Sequence, residues 1–172
     1  MMFPLARRVL LGLFVLAAPT AAQAHPGHDD DHADGAIVIS RAWARQTPPE
    51  ATVGAAYLMI WNRSHQDDAL TAATSPQAER VELHRTERDG NRMSMVKMEA
   101  IDLPADQAVV LEPGGRHLMF KGLKGAFNPG DTVDVTLTFR RADPVTLQMP
   151  VKEIGYKPQS GGMMQPGGKS GR

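Results

Sequence analysis

The feature that most constrains the fold is a strict two-residue alternation in Thr132–Phe139 (TVDVTLTF). Val133, Val135, Leu137 and Phe139 fall on one side of an extended chain, and Thr132, Asp134, Thr136 and Thr138 on the other. Such a segment is stable as a strand with one face on a core and the other toward water. Val145, Leu147, Met149 and Val151 repeat the pattern, while Ala55–Asn62 (AAYLMIWN) is apolar on both faces, as a central strand would be. Turn signals punctuate the chain at Thr47-Pro48-Pro49, Asp89-Gly90, Pro113-Gly114-Gly115 and Asn128-Pro129-Gly130-Asp131. No long amphipathic helix is evident. The spacing predicts about seven or eight short strands over Ala36–Tyr156, in an antiparallel β-sandwich with Greek-key connections.

Both flanks read differently. Arg7 and Arg8, the apolar run Val9–Ala18 and the Ala22-Gln23-Ala24 site have the order of an export signal over residues 1–24. The apolar run is too short to span a bilayer, which weighs against a membrane anchor. Cleavage there would start the mature chain at His25, and the pattern suggests a Gram-negative periplasm, by either export route. Residues 25–35 (HPGHDDDHADG) are polar and aperiodic, as expected of a flexible arm, and the Gly-, Pro- and Met-rich segment 157–172 of a disordered tail.

The charge balance narrows the partners. Removing residues 1–24 leaves 17 basic and 19 acidic side chains. A slightly acidic chain argues against nucleic acid or anionic lipid as the main partner. There are no cysteines, which removes disulfides, thiolate nucleophiles and the thiolate ligand of a blue-copper centre.

The segment Val81–Met98 (VELHRTERDGNRMSMVKM) carries the chemistry. A two-residue Asp89-Gly90 hairpin loop would pair His84 with Met95, Leu83 with Val96, Glu82 with Lys97 and Val81 with Met98. Alternation in His117-Leu118-Met119-Phe120 puts His117 and Met119 on one face, with Leu118 and Phe120 toward the core. Two imidazoles and two thioethers make a neutral, soft four-donor set. Such a set favours Cu(I), whereas zinc normally recruits Cys or carboxylate, and calcium or magnesium needs oxygen. The primary candidates are therefore His84, Met95, His117 and Met119. In the arm, His25, His28 and His32 beside Asp29, Asp30 and Asp31 could form a secondary Cu(II) site, or simply be solvated. Trp43 and Trp61 are expected to be core anchors, and Met163 and Met164, in a tail without His, to lie idle rather than scavenge metal.

The spacing His84, ten residues, Met95, twenty-one residues, His117, one residue, Met119 resembles the H-x10-M-x21-H-x-M signature of the periplasmic copper chaperones called PCuAC. The resemblance extends to Ala42-Trp43-Ala44-Arg45, Gly54-Ala55-Ala56-Tyr57, Pro113-Gly114-Gly115-Arg116, Gly122-Leu123 and Pro129-Gly130-Asp131. It implies a cupredoxin-like β-sandwich that binds one Cu(I). It also implies delivery to the CuA subunit of cytochrome c oxidase, alongside Sco-type thiol proteins. Many members carry Met directly after the first His. This chain has Arg85 there, on the opposite face by alternation, and Met93 on the ligand face is a substitute sulfur or a packing residue. The expectation is a monomeric carrier with no catalytic turnover; a storage or resistance protein with the same site is the alternative. No Ser-His-Asp pattern, paired carboxylates or phosphate loop stands out for an enzyme.

Overall fold

The computed structural model describes residues 36–90 and 92–158. The whole of the expected leader and arm, with His25, His28 and His32, and most of the expected tail, with Met163 and Met164, lie outside them. The described residues form ten strands: β1 Ile37–Arg45, β2 Val53–Asn62, β3 Asp68–Thr74, β4 Ala78–Asp89, β5 Arg92–Met98, β6 Ile101–Leu103, β7 Gln107–Leu111, β8 Arg116–Leu123, β9 Thr132–Phe139 and β10 Val145–Lys152. Seven of them close a ring in the order β4-β8-β2-β1-β10-β9-β3, sealed by the Ala73–Val81 pairing of β3 with β4. Strands β5, β6 and β7 lie outside the ring on β4, β3 and β2. Neighbours are antiparallel except β1 and β10. Among the described residues no helix is long and apolar enough to cross a membrane.

The alternating residues fill the ring as expected. Val133, Val135, Leu137 and Phe139 of β9 and Leu147, Met149 and Val151 of β10 meet Leu58 and Ile60 of β2 and Leu118 and Phe120 of β8 inside. Full burial of each such side chain stabilises the fold by roughly 1.5–3 kcal/mol. Asp68 sits at the edge of this core and accepts N–H bonds from Ala69, Arg141 and Ala142, tying the β9–β10 connection to β3. Trp61 departs from expectation: it is 42% exposed on the outer face of β2, with the Arg63 guanidinium over its ring. Alternation leaves Ile60 and Asn62 as the inward neighbours, so Trp61 must face out.

A bulge in β1 decides which way Trp43 points. Ser40 pairs with Met59, but Trp43 pairs with Tyr57, so β1 carries one extra residue. Arg41 absorbs it with a φ of 53°. An extra residue inverts the facing of everything beyond it. Ile37 and Ile39 point into the ring before the bulge and Ala44 after it, which sends Trp43 to the outer face beside Tyr57.

The β4–β5 hairpin also differs from the expected register. The last pair is Asp89 with Arg92, and Gly90 enters the turn with a φ of 56°. The loop thus begins at Gly90 rather than Asp89. His84 pairs with Lys97, Thr86 with Met95, Leu83 with Met98 and Arg85 with Val96. Glycine reaches a positive φ without steric cost, so the turn forms where Gly takes its first position, and Asp89 is left opposite Arg92. Each partner moves by two residues, which preserves the face: Met95 is a diagonal neighbour of His84, not its direct partner.

Candidate metal centre

Strands β4 and β8 run side by side with Arg80 opposite Lys121, Glu82 opposite Met119 and His84 opposite His117. Alternation places all six on the outer face of the ring, because Leu83, Leu118 and Phe120 between them are buried in the core. Met95, opposite Thr86 on β5, shares this face. The two imidazoles lie 5.9 Å apart, centre to centre, with planes tilted by 38°.

Although they face away from the core, both imidazoles are covered: His84 is 6% exposed and His117 4%. His117 is on the face away from the core, as expected; alternation reports which face a residue is on, but not what lies over that face. The ring beside it belongs to Tyr57, 6.4 Å from His117. Beyond it Trp43 lies 4.6 Å from Tyr57, and Tyr156 5.1 Å from Trp43. Trp43 is therefore buried, but in a row of rings on the metal-candidate face rather than inside the barrel. The Arg45 guanidinium sits 5.3 Å over Tyr57.

Hydrogen bonds define the state of each imidazole. His117 Nδ1–H donates to the Gly115 carbonyl (3.1 Å). His84 Nε2–H donates to Glu82 Oε2 (2.9 Å). Carbonyl and carboxylate oxygens only accept, so in each neutral ring the other nitrogen keeps its lone pair. That nitrogen is Nε2 in His117 and Nδ1 in His84. His84 Nδ1 is buried and has no hydrogen-bond partner. An orphaned buried acceptor is costly unless something binds it. Burial also depresses the His117 pKa, with the His84 and Arg45 charges adding to the effect and the Gly115 hydrogen bond opposing it. His117 is thus held in the neutral form a metal requires. Glu82 is pulled down to about 2 by hydrogen bonds from Lys121 first and His84 next.

A concavity of about 450 Å³ opens over this face, walled by Tyr57, Met93, Met95, His117 and Met119 with Arg45 at one side. His84, the cross-strand partner of His117, is not among the residues that wall it. Met119 is half-buried, whereas Met95 and Met93 are 61% and 58% exposed on β5. Met93 is not packed in the core; Arg88 Nη2 contacts its sulfur at 3.8 Å. A second concavity of about 630 Å³, between Gln77, Phe127 and Asp131, has no His or Met in its wall. Among the described residues no group of three or more His, Asp or Glu side chains is placed to hold a metal. The donors on the β4–β8 face are imidazole and thioether, which suit a soft ion. Sequence reasoning passed over Glu82, Tyr57 and Arg45. The alternation of Glu82 with His84 was the available signal for the first; the other two needed the strand pairing.

Fold and site together define a class: a cupredoxin-like β-barrel domain of the PCuAC type, with two imidazoles and neighbouring thioethers on its outer face. It is similar to the copper-bound PCuAC domain from PmoF2, with a TM-score of 0.62 and 25% identity over 70% of this chain and 95% of that one. It is also similar to the Cu(I) form of DR1885 from Deinococcus radiodurans, with a TM-score of 0.54 and 30% identity over 64% of this chain and 74% of that one. Lxx21020 of Leifsonia xyli subsp. xyli, named as a lipoprotein, is 32% identical over 149 residues, covering 85% of this chain and 86% of that protein. Residues 37–151 match the LpqE-like family model, whose description is that of a lipoprotein. The chain belongs to the LpqE-like family.

Proposed function

We propose that this chain is an exported copper carrier that binds one Cu(I) through His84, Met95, His117 and Met119. The observation that carries the reading is the opposed pair His84–His117, each with one nitrogen hydrogen-bonded and the other free. Met119 and Met95 stand on the same face as the softer donors. The likeness to copper-bound PCuAC domains supports copper as the ion. All four donors are neutral, so the site suits a monovalent d¹⁰ ion better than Cu(II), which prefers tetragonal nitrogen and oxygen sets. The lipoprotein names of the family and of Lxx21020 support a place in the cell envelope.

The geometry suggests an order of events for delivery. The two imidazoles are buried and Met119 is half-covered, while Met95 is exposed on the outlying strand β5. An incoming thiolate reaches the ion through the concavity, displaces Met95 first, and meets the histidines last. Thiolates are anionic and soft, so an acceptor with paired cysteines outcompetes thioethers for Cu(I). We place the CuA subunit of cytochrome c oxidase, or a Sco-type thiol protein upstream of it, as that acceptor. The chain holds and hands over an ion, and no turnover chemistry is assigned to it.

The test is an anaerobic Cu(I) titration against a chromophoric chelator, with native mass spectrometry for stoichiometry. One Cu(I) per chain is expected, with strong weakening in His84→Ala and Met119→Ala. Wild-type affinity in both variants would remove the assignment.

A further inference from the structure

We propose that Glu82 is the positioning residue of this site: its carboxylate holds His84 as the Nε2–H tautomer, so that Nδ1 is the nitrogen offered to Cu(I). The inference rests on the Cu(I) reading above and adds the group that sets ligand orientation. Glu82 lies between two rungs of the β4–β8 ladder, the Arg80–Lys121 pair on one side and the His84–His117 pair on the other. Its Oε2 accepts from Lys121 Nζ at 2.7 Å and from His84 Nε2 at 2.9 Å, and its Oε1 accepts from Arg80 Nε at 3.1 Å. Three donors from three side chains therefore fix a carboxylate that is only 14% exposed.

Two consequences follow from those contacts. Glu82 is not itself free to act as a ligand, because both oxygens are engaged. And the His84 ring cannot turn over without losing a charged acceptor, so its lone pair stays on Nδ1, which is buried without any partner of its own. A carboxylate accepting from the far nitrogen of a metal-bound imidazole fixes the ring and raises its basicity, and removing such a group typically weakens metal binding by roughly 10- to 100-fold. Were Glu82 only an ion-pair partner joining β4 to β8, its loss would change stability and leave the His84 tautomer alone.

The experiment uses protein with ¹⁵N-labelled histidine and compares wild type, Glu82→Gln and Glu82→Leu. Long-range ¹H–¹⁵N correlation on copper-free protein reads the tautomer. Wild type and Glu82→Gln, which keeps an acceptor oxygen, should show His84 protonated on Nε2. Glu82→Leu should lose that preference, and its Cu(I) affinity by chelator competition should drop by roughly 10- to 100-fold, with a smaller loss in Glu82→Gln. Adding Ag(I) to wild type as a diamagnetic probe should move the Nδ1 resonance of His84 and the Nε2 resonance of His117. Unchanged tautomer and affinity in a folded Glu82→Leu would overturn the proposal, as would an Ag(I)-induced shift at Nε2 of His84. If Glu82→Leu does not fold, the wild-type tautomer and Ag(I) shifts decide. Absence of Cu(I) binding by wild type would instead defeat the copper reading itself.

Discussion

Met95 and His117 share a face but differ in cover, and the difference separates stability from affinity. Met95 is 61% exposed and packs on little. Met95→Leu should therefore leave urea stability within about 0.5 kcal/mol of wild type, while Cu(I) affinity falls because the thioether is gone. A loss of stability with no loss of affinity would reverse the roles assigned to that side chain. His117 makes a pH prediction. Its folded pKa lies below the ordinary 6.5 because burial penalises the charged ring. Between that lowered value and ~6.5 the unfolded chain holds a proton that the folded chain refuses. This contribution thus makes the copper-free protein less stable as pH falls through that window, and more stable as pH rises. Copper binding should likewise survive to lower pH at His117 than an ordinary imidazole allows. An NMR titration of the His117 ring should give a midpoint under 6.5; a midpoint above it would contradict the burial argument. Glu82 acts in the other direction of cause: its folded value of about 2 lies below the ordinary 4.5. Its stabilisation is present above 4.5 and is lost as pH falls toward 2.

At the scale of elements, the β1 bulge is the device that brings Trp43 to the row of rings beside His117. Arg41 sits there at a φ of 53°, a conformation that costs a non-glycine residue roughly 1–2 kcal/mol. Arg41→Gly should keep the fold with nearly unchanged stability, since relief of strain is offset by the greater freedom of glycine in the unfolded chain. Deleting Arg41 removes the extra residue and lets β1 alternate without a bulge, with Ser40 still opposite Met59 and Trp43 still opposite Tyr57, so Trp43 should stay outside the barrel and tryptophan emission should report native burial. A deletion variant whose emission reports an exposed tryptophan would show that the bulge does more than absorb one extra residue. The same element explains what the sequence could and could not disclose. Alternation in Val133–Phe139 and in His117–Phe120 reveals facing directly, because period two is a property of any strand. Facing survives even a misplaced turn: starting the loop at Gly90 moves each partner by two residues and leaves Met95 on the face of His84. The cover over His117 was not readable, because Tyr57 and Trp43 reach it from other strands. Nor was the facing of Trp43, because nothing in Ser40-Arg41-Ala42 announces an extra residue.

On the scale of the whole molecule, the candidate site belongs to the barrel and not to the arm. Deleting residues 25–35 should leave Cu(I) affinity nearly intact while lowering any Cu(II) binding, since the arm offers nitrogen and oxygen but no sulfur. Loss of Cu(I) binding in that truncation would move the primary site off the β4–β8 face. Mixing Cu(I)-loaded protein with a reduced two-cysteine acceptor and separating them should leave the metal on the acceptor; copper retained on this chain would favour storage over delivery. The closed ring has one more consequence. The apolar interior is sealed by β3 meeting β4, and the candidate donors stand on its outside, so no part of the core waits for an ion to complete it. Binding then adds to stability only by mass action, about 4 kcal/mol at a thousandfold excess over Kd. The extra hydrogen-exchange protection should be confined to β4, β5 and β8, with β9 and β10 unchanged. A small zinc domain falls apart when its metal leaves. On the proposed reading this one would be left whole after unloading, and one molecule could serve many successive ions without refolding between them.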